Sequence, residues 1–462
     1  MTFYCPSIKQ RGNRGPDFAF NLSGLAPRIG LGRNSNHNRM INTLFSRIRN
    51  TILRSGKVII DFSGNSYDDG YSLQLDNIGN IYIAGLSNEN DGDFAVIKLT
   101  PVGDLDPSFG ANGKVVIDIS GNSVDVARSL QLDNIGNIYV AGSSYENYSS
   151  DFAVIKLDPN GVLVTSFGAN GKVVIDISGN SYDEGRSLQL DKLGNIYIAG
   201  FSNANGISDF AVIKLTPVGD LDPSFGANGK VVIDISGNYY DDGYSLQLDN
   251  IGNIYVAGSS YANGISDFAV IKLDTNGDLD PSFGANGKVV IDISGNYYDR
   301  GYSLQLDNIG NIYIAGLSNE NDDDFAVIKL DTNGDLDPSF GAGGKVIIDF
   351  SGNSDDVARS LQLDDIGNIY VAGSSEVNGN RDDFAVIKLD TNGDLDPSFG
   401  ANGKVIIDFS GNSGDEGYSL QLDKLGNIYV AGSSYLNGSH DFAVIKLKPN
   451  GNLDNTFGKI IE

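Results

Sequence analysis

Aspartate stands at the same few places in every repeat of the chain, and repeated carboxylates invite an acid–base or a metal-binding reading. Asp76 and Asp118 are two such positions. General acid–base work needs one asymmetric constellation whose pKa values are pushed apart. Seven equal copies argue instead for turn residues that cap an Asp-x-x-Gly-Asn segment. The stretch Asp274-Thr-Asn276-Gly-Asp278-Leu-Asp280 sets oxygens at alternate positions, as calcium loops do. Its Gly is misplaced for an EF-hand, and no bidentate Glu follows at the right distance. The set survives in the fourth to sixth copies, but the first reads Thr100-Pro-Val-Gly-Asp104 and the second Asp158-Pro-Asn-Gly-Val162. A β-turn built from Asn-Gly and Asp accounts for it without an ion. Asp274, Asn276 and Asp278 are therefore the only metal candidates retained, and no metal or other cofactor is expected. Nucleophilic chemistry has less to work with. Cys5 lies in the leader, and neither His37 nor His440 belongs to a repeated block or a triad. His440 stands where sister loops carry Ser208, Ser266 or Asp382. There is no Walker-type glycine loop and no zinc ligand set. The chain is expected not to be an enzyme.

These residues sit on a regular frame. Gly-Lys-Val recurs with its Lys at 57, 114, 172, 230, 288, 345 and 404, and a stub, Lys459–Ile461, ends the chain. Three more blocks recur seven times: Ser-Leu-Gln-Leu-Asp from Ser72, Gly-Asn-Ile-Tyr-(Ile/Val)-Ala-Gly from Gly79, and Asp-Phe-Ala-Val-Ile-Lys-Leu from Asp93. Each is short, rich in β-branched and aromatic residues, and bounded by Gly, Asn, Asp or Pro, which is how a strand reads. Four strands per repeat, seven repeats and no helical spacer predict an all-β, seven-bladed β-propeller of four-stranded antiparallel blades over residues 56–462. An open solenoid is the alternative, but it would need polar capping repeats, and none is visible.

Charge orders the strands. Lys114 and Asp118 fall on one face of their strand, as on an edge that must refuse stray pairing, so this strand is placed outermost. The Leu73/Leu75 strand is placed nearest the axis. Seven inner triplets then need seven outer strands, and only six full ones follow a triplet. The orphan strand Lys57–Phe62 is expected to supply the seventh by pairing antiparallel with Asp441–Leu447, while the stub contributes little.

The blocks Leu-Asp-Thr-Asn-Gly-Asp-Leu-Asp-Pro-Ser-Phe-Gly (273–284), Gly-Asn-Ile-Tyr-Val-Ala-Gly (252–258) and Asp-Phe-Ala-Val-Ile-Lys-Leu (267–273) resemble the delta-60 repeat family of bacterial propeller-type repeats. The resemblance covers roughly 57–462. It implies a propeller, carries no assigned activity, and favours an extracellular or cell-surface location over the cytoplasm, although no secretory signal opens the chain.

Alternate links of an antiparallel blade emerge at the same end. One end is nearly constant from repeat to repeat. The other varies: Ser-Tyr-Asp-Asp-Gly-Tyr (66–71), Ser-Val-Asp-Val-Ala-Arg (123–128) and Tyr-Tyr-Asp-Arg-Gly-Tyr (297–302) occupy one place. Loops on a rigid scaffold are where binding resides, and Tyr is a strong contact residue. The candidate contacts are Tyr67, Tyr145, Tyr182, Tyr240, Tyr261, Tyr298 and Tyr435, with Asp68, Asp241 and Asp299 beside them. Solvent-exposed drift between repeats, with the Tyr packed between blades, is the competing account.

The partner class follows from charge. Residues 1–55 hold nine Lys or Arg and one acid, Asp17, leaving 23 bases against 58 acids in the body. Such a body repels nucleic acid. A protein or a carbohydrate is the expected partner, bound by a monomer; a structural spacer without a ligand is the runner-up, and a carboxylate-dependent hydrolase or lyase is a distant third. No stretch is apolar enough to span a bilayer. In the leader, 38–54 sets Ile41, Leu44, Phe45, Ile48 and Ile52 at helical spacing among Arg residues, an amphipathic pattern that could touch a membrane surface.

Overall fold

The period-2 pattern of the repeats becomes seven four-stranded antiparallel sheets arranged in a ring. The computed structural model describes residues 54–458, apart from 63, 65–66, 89–91, 122, 147–148, 178, 180–181, 205, 238, 263, 296, 320–321, 353–354, 378–380, 410, 412–413 and 437. The amphipathic pattern at 38–54 and the stub at 459–461 lie outside the described residues, save Arg54. Among the described residues no helix is long and apolar enough to cross a membrane.

The first complete sheet shows the plan. Its inner strand is Asp68–Leu75, followed outward by Ile81–Ser87, Asp93–Leu99 and Lys114–Ile117. The second and third strands alternate between two neighbours. Ile81 and Ile83 pack into one inter-blade core with Phe442 and Val444. Tyr82 and Ala84 pack into the next with Leu130 and Ile138. A blade covered on both faces can be apolar at every position, which is why Phe94-Ala95-Val96-Ile97 is fully buried.

Inner strands touch one another around the axis, and a belt of side-chain hydrogen bonds joins them. Leu130 N–H donates to Ser72 Oγ at 3.0 Å, and the same bond is made from Leu188 to Ser129 and onward round the ring. The belt closes where Leu73 N–H donates to Ser419 Oγ at 3.0 Å and Leu75 N–H to Gln421 Oε1 at 3.1 Å. The invariant Ser-Leu-Gln-Leu block is thus a device for joining blades, since each Ser and Gln satisfies an amide that the inner edge would leave unpaired.

The seventh blade is completed from the other end of the chain. Lys57–Ile60 pairs antiparallel with Ser439–Leu447, with Lys57 opposite Ile445 and Ile60 opposite Phe442. Val58 and Ile60 are 3% exposed and join the core of Phe442 and Val444. Gly56 N–H donates to Phe457 O at 2.9 Å, and Gly458 N–H to Val102 O at 3.0 Å, so the first and last described segments are tied into the ring.

Candidate binding face and channel collar

The variable loops meet at one end of the ring. Each link into an inner strand is stitched to the end of the second strand: Asn88 N–H donates to Tyr67 O at 3.0 Å, and Tyr261 N–H to Tyr240 O at 2.8 Å. Tyr67, Tyr182, Tyr240 and Tyr298 are exposed, Tyr240 by 60%. Tyr145, Tyr261 and Tyr435 are half-buried and lean on neighbours: Tyr145 on Tyr182 at 6.2 Å, Tyr261 on Tyr239 at 6.0 Å and Tyr435 on His440 at 5.4 Å. The tyrosines do populate this end, in pairs rather than as one crowd.

Asp68, Asp241 and Asp299 are not surface contacts. Each is fully buried. Asp241 accepts Ile235 N–H at 2.7 Å and the Ser236 hydroxyl at 2.9 Å, and Asp299 accepts the same groups of Ile293 and Ser294. Asp68 accepts Phe62 N–H at 2.9 Å. They fold the link beneath the exposed tyrosines. The Asp274 stretch lies at the opposite end. Asp274 Oδ1 accepts Asn276 N–H at 2.8 Å and Asp278 N–H at 3.0 Å, while Asn276 O accepts Gly226 N–H of the preceding blade at 2.7 Å. That carboxylate is occupied by a turn, and the turn joins two blades.

A second layer, inside the opening, escaped sequence reasoning. Every inner strand has a β-bulge, placed between Gly70 and Ser72 in the first blade. Room for it comes from Gly85 opposite, where a Cβ would meet the Asp69 carbonyl oxygen at 1.8 Å. The bulged residue is in turn Tyr71, Arg128, Arg186, Tyr244, Tyr302, Arg359 and Tyr418. These side chains meet across blades. Tyr71 packs against Tyr418 at 5.0 Å, and Arg128 lies over Tyr71 at 4.6 Å. Arg186 lies over Tyr244 at 4.6 Å, and Tyr244 packs on Tyr302 at 5.0 Å. Arg359 sits 5.8 Å from Tyr302 and 5.0 Å from Tyr418. Such cation–aromatic contacts are favourable, more so when partly desolvated.

Carboxylates two residues earlier tie the collar down. Glu184 pairs with Arg186 at 3.0 Å and Glu416 with Arg359 at 3.3 Å. Tyr418 Oη donates to Glu416 at 2.6 Å and Tyr71 Oη to Asp69 at 3.1 Å. Burial first, and carboxylates as well, hold these hydroxyls in the acid form: Tyr244 is pushed up to about 12, and Tyr71 and Tyr418 are raised further. The signal in the sequence was the last residue of the variable hexapeptides, which changes between Tyr and Arg immediately before the constant Ser-Leu-Gln-Leu block.

His440, read from sequence as a loop variant, bridges the closing seam. Its Nδ1 stands 3.3 Å from Asp69 Oδ1, and its ring packs on Tyr67 and Tyr435. The hydrogen bond to Asp69 raises its pKa above 6.5 against the opposing effect of burial. The pair therefore stabilises the seam fully below about 6.5, and that stabilisation is lost as pH rises through the folded value. In an NMR titration His440 is expected to titrate above 6.5, and Asp69→Asn to bring it down. An unchanged midpoint in that variant would remove the pair from the account.

Seven four-stranded blades closed around an axis, with belt, collar and loop crown, define a seven-bladed β-propeller. Residues 79–109, 136–167, 194–225, 252–283, 310–340, 367–399 and 426–457, one stretch per blade, match the family described as a domain of unknown function (DUF5122) beta-propeller. The repeats thus resemble those of a propeller repeat family without an assigned function; the match does not extend to the delta-60 name. No curated protein matches the sequence. Among solved structures, a Dyadobacter fermentans protein of unknown function is 11% identical with a TM-score of 0.43, covering 86% of this chain and 98% of its own. Sqt1 of Chaetomium thermophilum is 11% identical with a TM-score of 0.44, covering 84% and 97%, and has also been solved bound to the N-terminus of the ribosomal protein L10. A PL25 ulvan lyase is 12% identical with a TM-score of 0.32, covering 87% and 84%. They lend the functional reading no support.

Proposed function

We propose that this propeller is a non-catalytic binding scaffold whose variable end takes a protein or carbohydrate partner. The collar carries the reading. The outer three strands of the blades largely repeat one another, but at the bulge of the inner strand they present four Tyr and three Arg in an irregular order. The Nε–H groups of Arg128, Arg186 and Arg359 are enclosed without a hydrogen-bond partner. Their guanidinium groups lie on tyrosine rings, which makes the collar a mixed cationic and aromatic surface of the kind partners contact. Against catalysis stand the raised tyrosine pKa values, because a hydroxyl held so firmly in its acid form is a poor base or nucleophile at neutral pH. The acidic body argues against nucleic acid as the partner.

A glycan array and a pull-down with the full chain test this. Tyr240→Ala with Tyr298→Ala is expected to weaken capture about tenfold, as loss of interface aromatics does. The other end also carries exposed apolar residues, Ile251 and Ile309 among them, at 78% and 77% exposed. Ile251→Ser with Ile309→Ser should leave capture unchanged. Capture that follows these residues instead would move the binding surface to the constant end.

A further inference from the structure

At each blade junction, under the variable loops, three aspartates converge. In one junction they are Asp151 of a third strand, Asp176 just past the outer strand, and Asp183 opening the next inner strand. One carboxylate oxygen from each lies within 4.8 Å of the other two. The same holds for Asp93, Asp118 and Asp125, for Asp209, Asp234 and Asp241, for Asp267, Asp292 and Asp299, and, across the closing seam, for Asp61, Asp68 and Asp441.

Two of the three have a structural explanation. The inner-strand Asp caps the link, as Asp241 and Asp299 do. The outer-strand Asp closes a tight turn, Asp176 Oδ1 accepting Gly179 N–H at 2.5 Å. At three junctions the third-strand Asp has none. Asp441 is 6% exposed, and its Oδ1 is enclosed with no hydrogen-bond partner, although it stands with Asp61 and Asp68. Asp151 Oδ1 and Asp267 Oδ1 are likewise enclosed without a partner, on side chains that are half-buried. A buried carboxylate without a donor, beside two more carboxylates, is costly unless a positive charge meets it.

The chain supplies one lysine per junction, joined at the closing seam by His440. Lys172 Nζ donates to Asp118 O at 2.5 Å, Lys230 to Asp176 O at 2.6 Å, and Lys114 to Asp61 O. One ammonium against three carboxylates leaves two negative charges. Two oxygens bound to one calcium ion at about 2.4 Å can stand no more than about 4.8 Å apart. The donors are all hard oxygens, with no imidazole or thiolate among them, which excludes a zinc-type site.

We propose that the aspartate triads at the blade junctions are binding sites for a divalent cation of the calcium class, one per blade. The ion holds the third strand and outer strand of one blade against the inner strand of the next. It sits directly beneath the loop crown and sets the spacing of the tyrosines above it. These are not the oxygens of the Asp274 turn, which lie at the other end of the ring and are already occupied.

The test uses the full chain stripped with a chelator at neutral pH. Calcium is titrated by calorimetry, and terbium by luminescence sensitised through tyrosine. Uptake is expected in the submillimolar to millimolar range typical of extracellular calcium modules, approaching seven ions per chain, with a rise in the unfolding midpoint. Asp441→Asn should lower the count by one, and adding Asp209→Asn should lower it by two; Asp274→Asn should leave it unchanged. Asn keeps the shape and relieves charge, so these variants are expected to fold, which circular dichroism checks. No uptake by the unmodified protein at millimolar calcium overturns the proposal, and so does a count that Asp441→Asn and Asp209→Asn do not move.

Discussion

Replacing Val58 and Ile60 together by Asp is expected to open the ring. Both side chains are 3% exposed and packed among Phe442, Val444, Leu73 and Ile83. Burying a carboxylate in an apolar core without a partner costs several kcal/mol, and each lost aliphatic contact adds about 1–3 kcal/mol. The damage is not confined to one strand. Among the described residues, Lys57–Ile60 is the only strand on the outer edge of Ser439–Leu447. Freeing it exposes the apolar stretch Phe442–Ile445, which is a template for pairing with another chain. The variant should elute as oligomers in size-exclusion chromatography and unfold well below the parent. Removing 459–462 is the control and should change neither readout. A double variant that stays monodisperse with an unchanged midpoint would mean that the inter-blade belt closes the ring by itself.

In the absence of divalent cations, acid is expected to stabilise this protein before it harms it. Burial first, then two neighbouring carboxylates, push Asp151, Asp209, Asp267 and Asp324 up to about 6. Asp383 is likewise pushed up to about 6 and Asp441 to about 7. A group whose pKa is higher folded than unfolded binds its proton more tightly in the folded state. Its stabilisation is complete below the unfolded value near 3.8 and is lost as pH rises through about 6 to 7. With each site discounted to on the order of 1 kcal/mol for screening by solvent, the six together add several kcal/mol. The unfolding midpoint in chelator should rise by roughly 5 °C or more between about pH 8 and about pH 5. The trend reverses in stronger acid. Asp106 is held at about 2 by the Ser108 hydroxyl first and Lys98 next, and Asp280 by Lys272 and then Ser282. Their stabilisation is present above about 3.8 and fails as pH drops toward 2. A midpoint that falls steadily from pH 8 downward would show that the buried aspartates are neutralised in some other way. Calcium and protons compete for the same charge, so calcium should flatten the rise.

The blade count, the order of strands and the closing strand were all legible in the linear chain. They depend on local facts: blocks of alternating β-branched residues, Lys and Asp on one face of the outer strand, and one orphan strand before the first triplet. A strand's two faces and its edge are written within five to seven consecutive residues, so a reader of the sequence has all the information the backbone uses. The tyrosines of the variable loops were legible for the same reason, since a loop between two recognisable strands has nowhere to be but the surface. Asp68, Asp241 and Asp299 were misplaced because burial of the first residue of a strand depends on a link folding back over it.

The collar and the aspartate junctions belong to the tertiary structure alone. Tyr71 and Tyr418, or Arg359 and Tyr302, are one or more repeats apart in the chain and meet only because the ring closes. The bulge that aims them depends on the close approach of Gly85 to the Asp69 carbonyl, which no period in the sequence announces. Asp151, Asp176 and Asp183 stand far apart in the repeat pattern, opening a strand block, following the outer strand and opening an inner strand. Their carboxylates share one small volume because they come from three strands of two blades, and charge repulsion among them exists only once those blades are packed together.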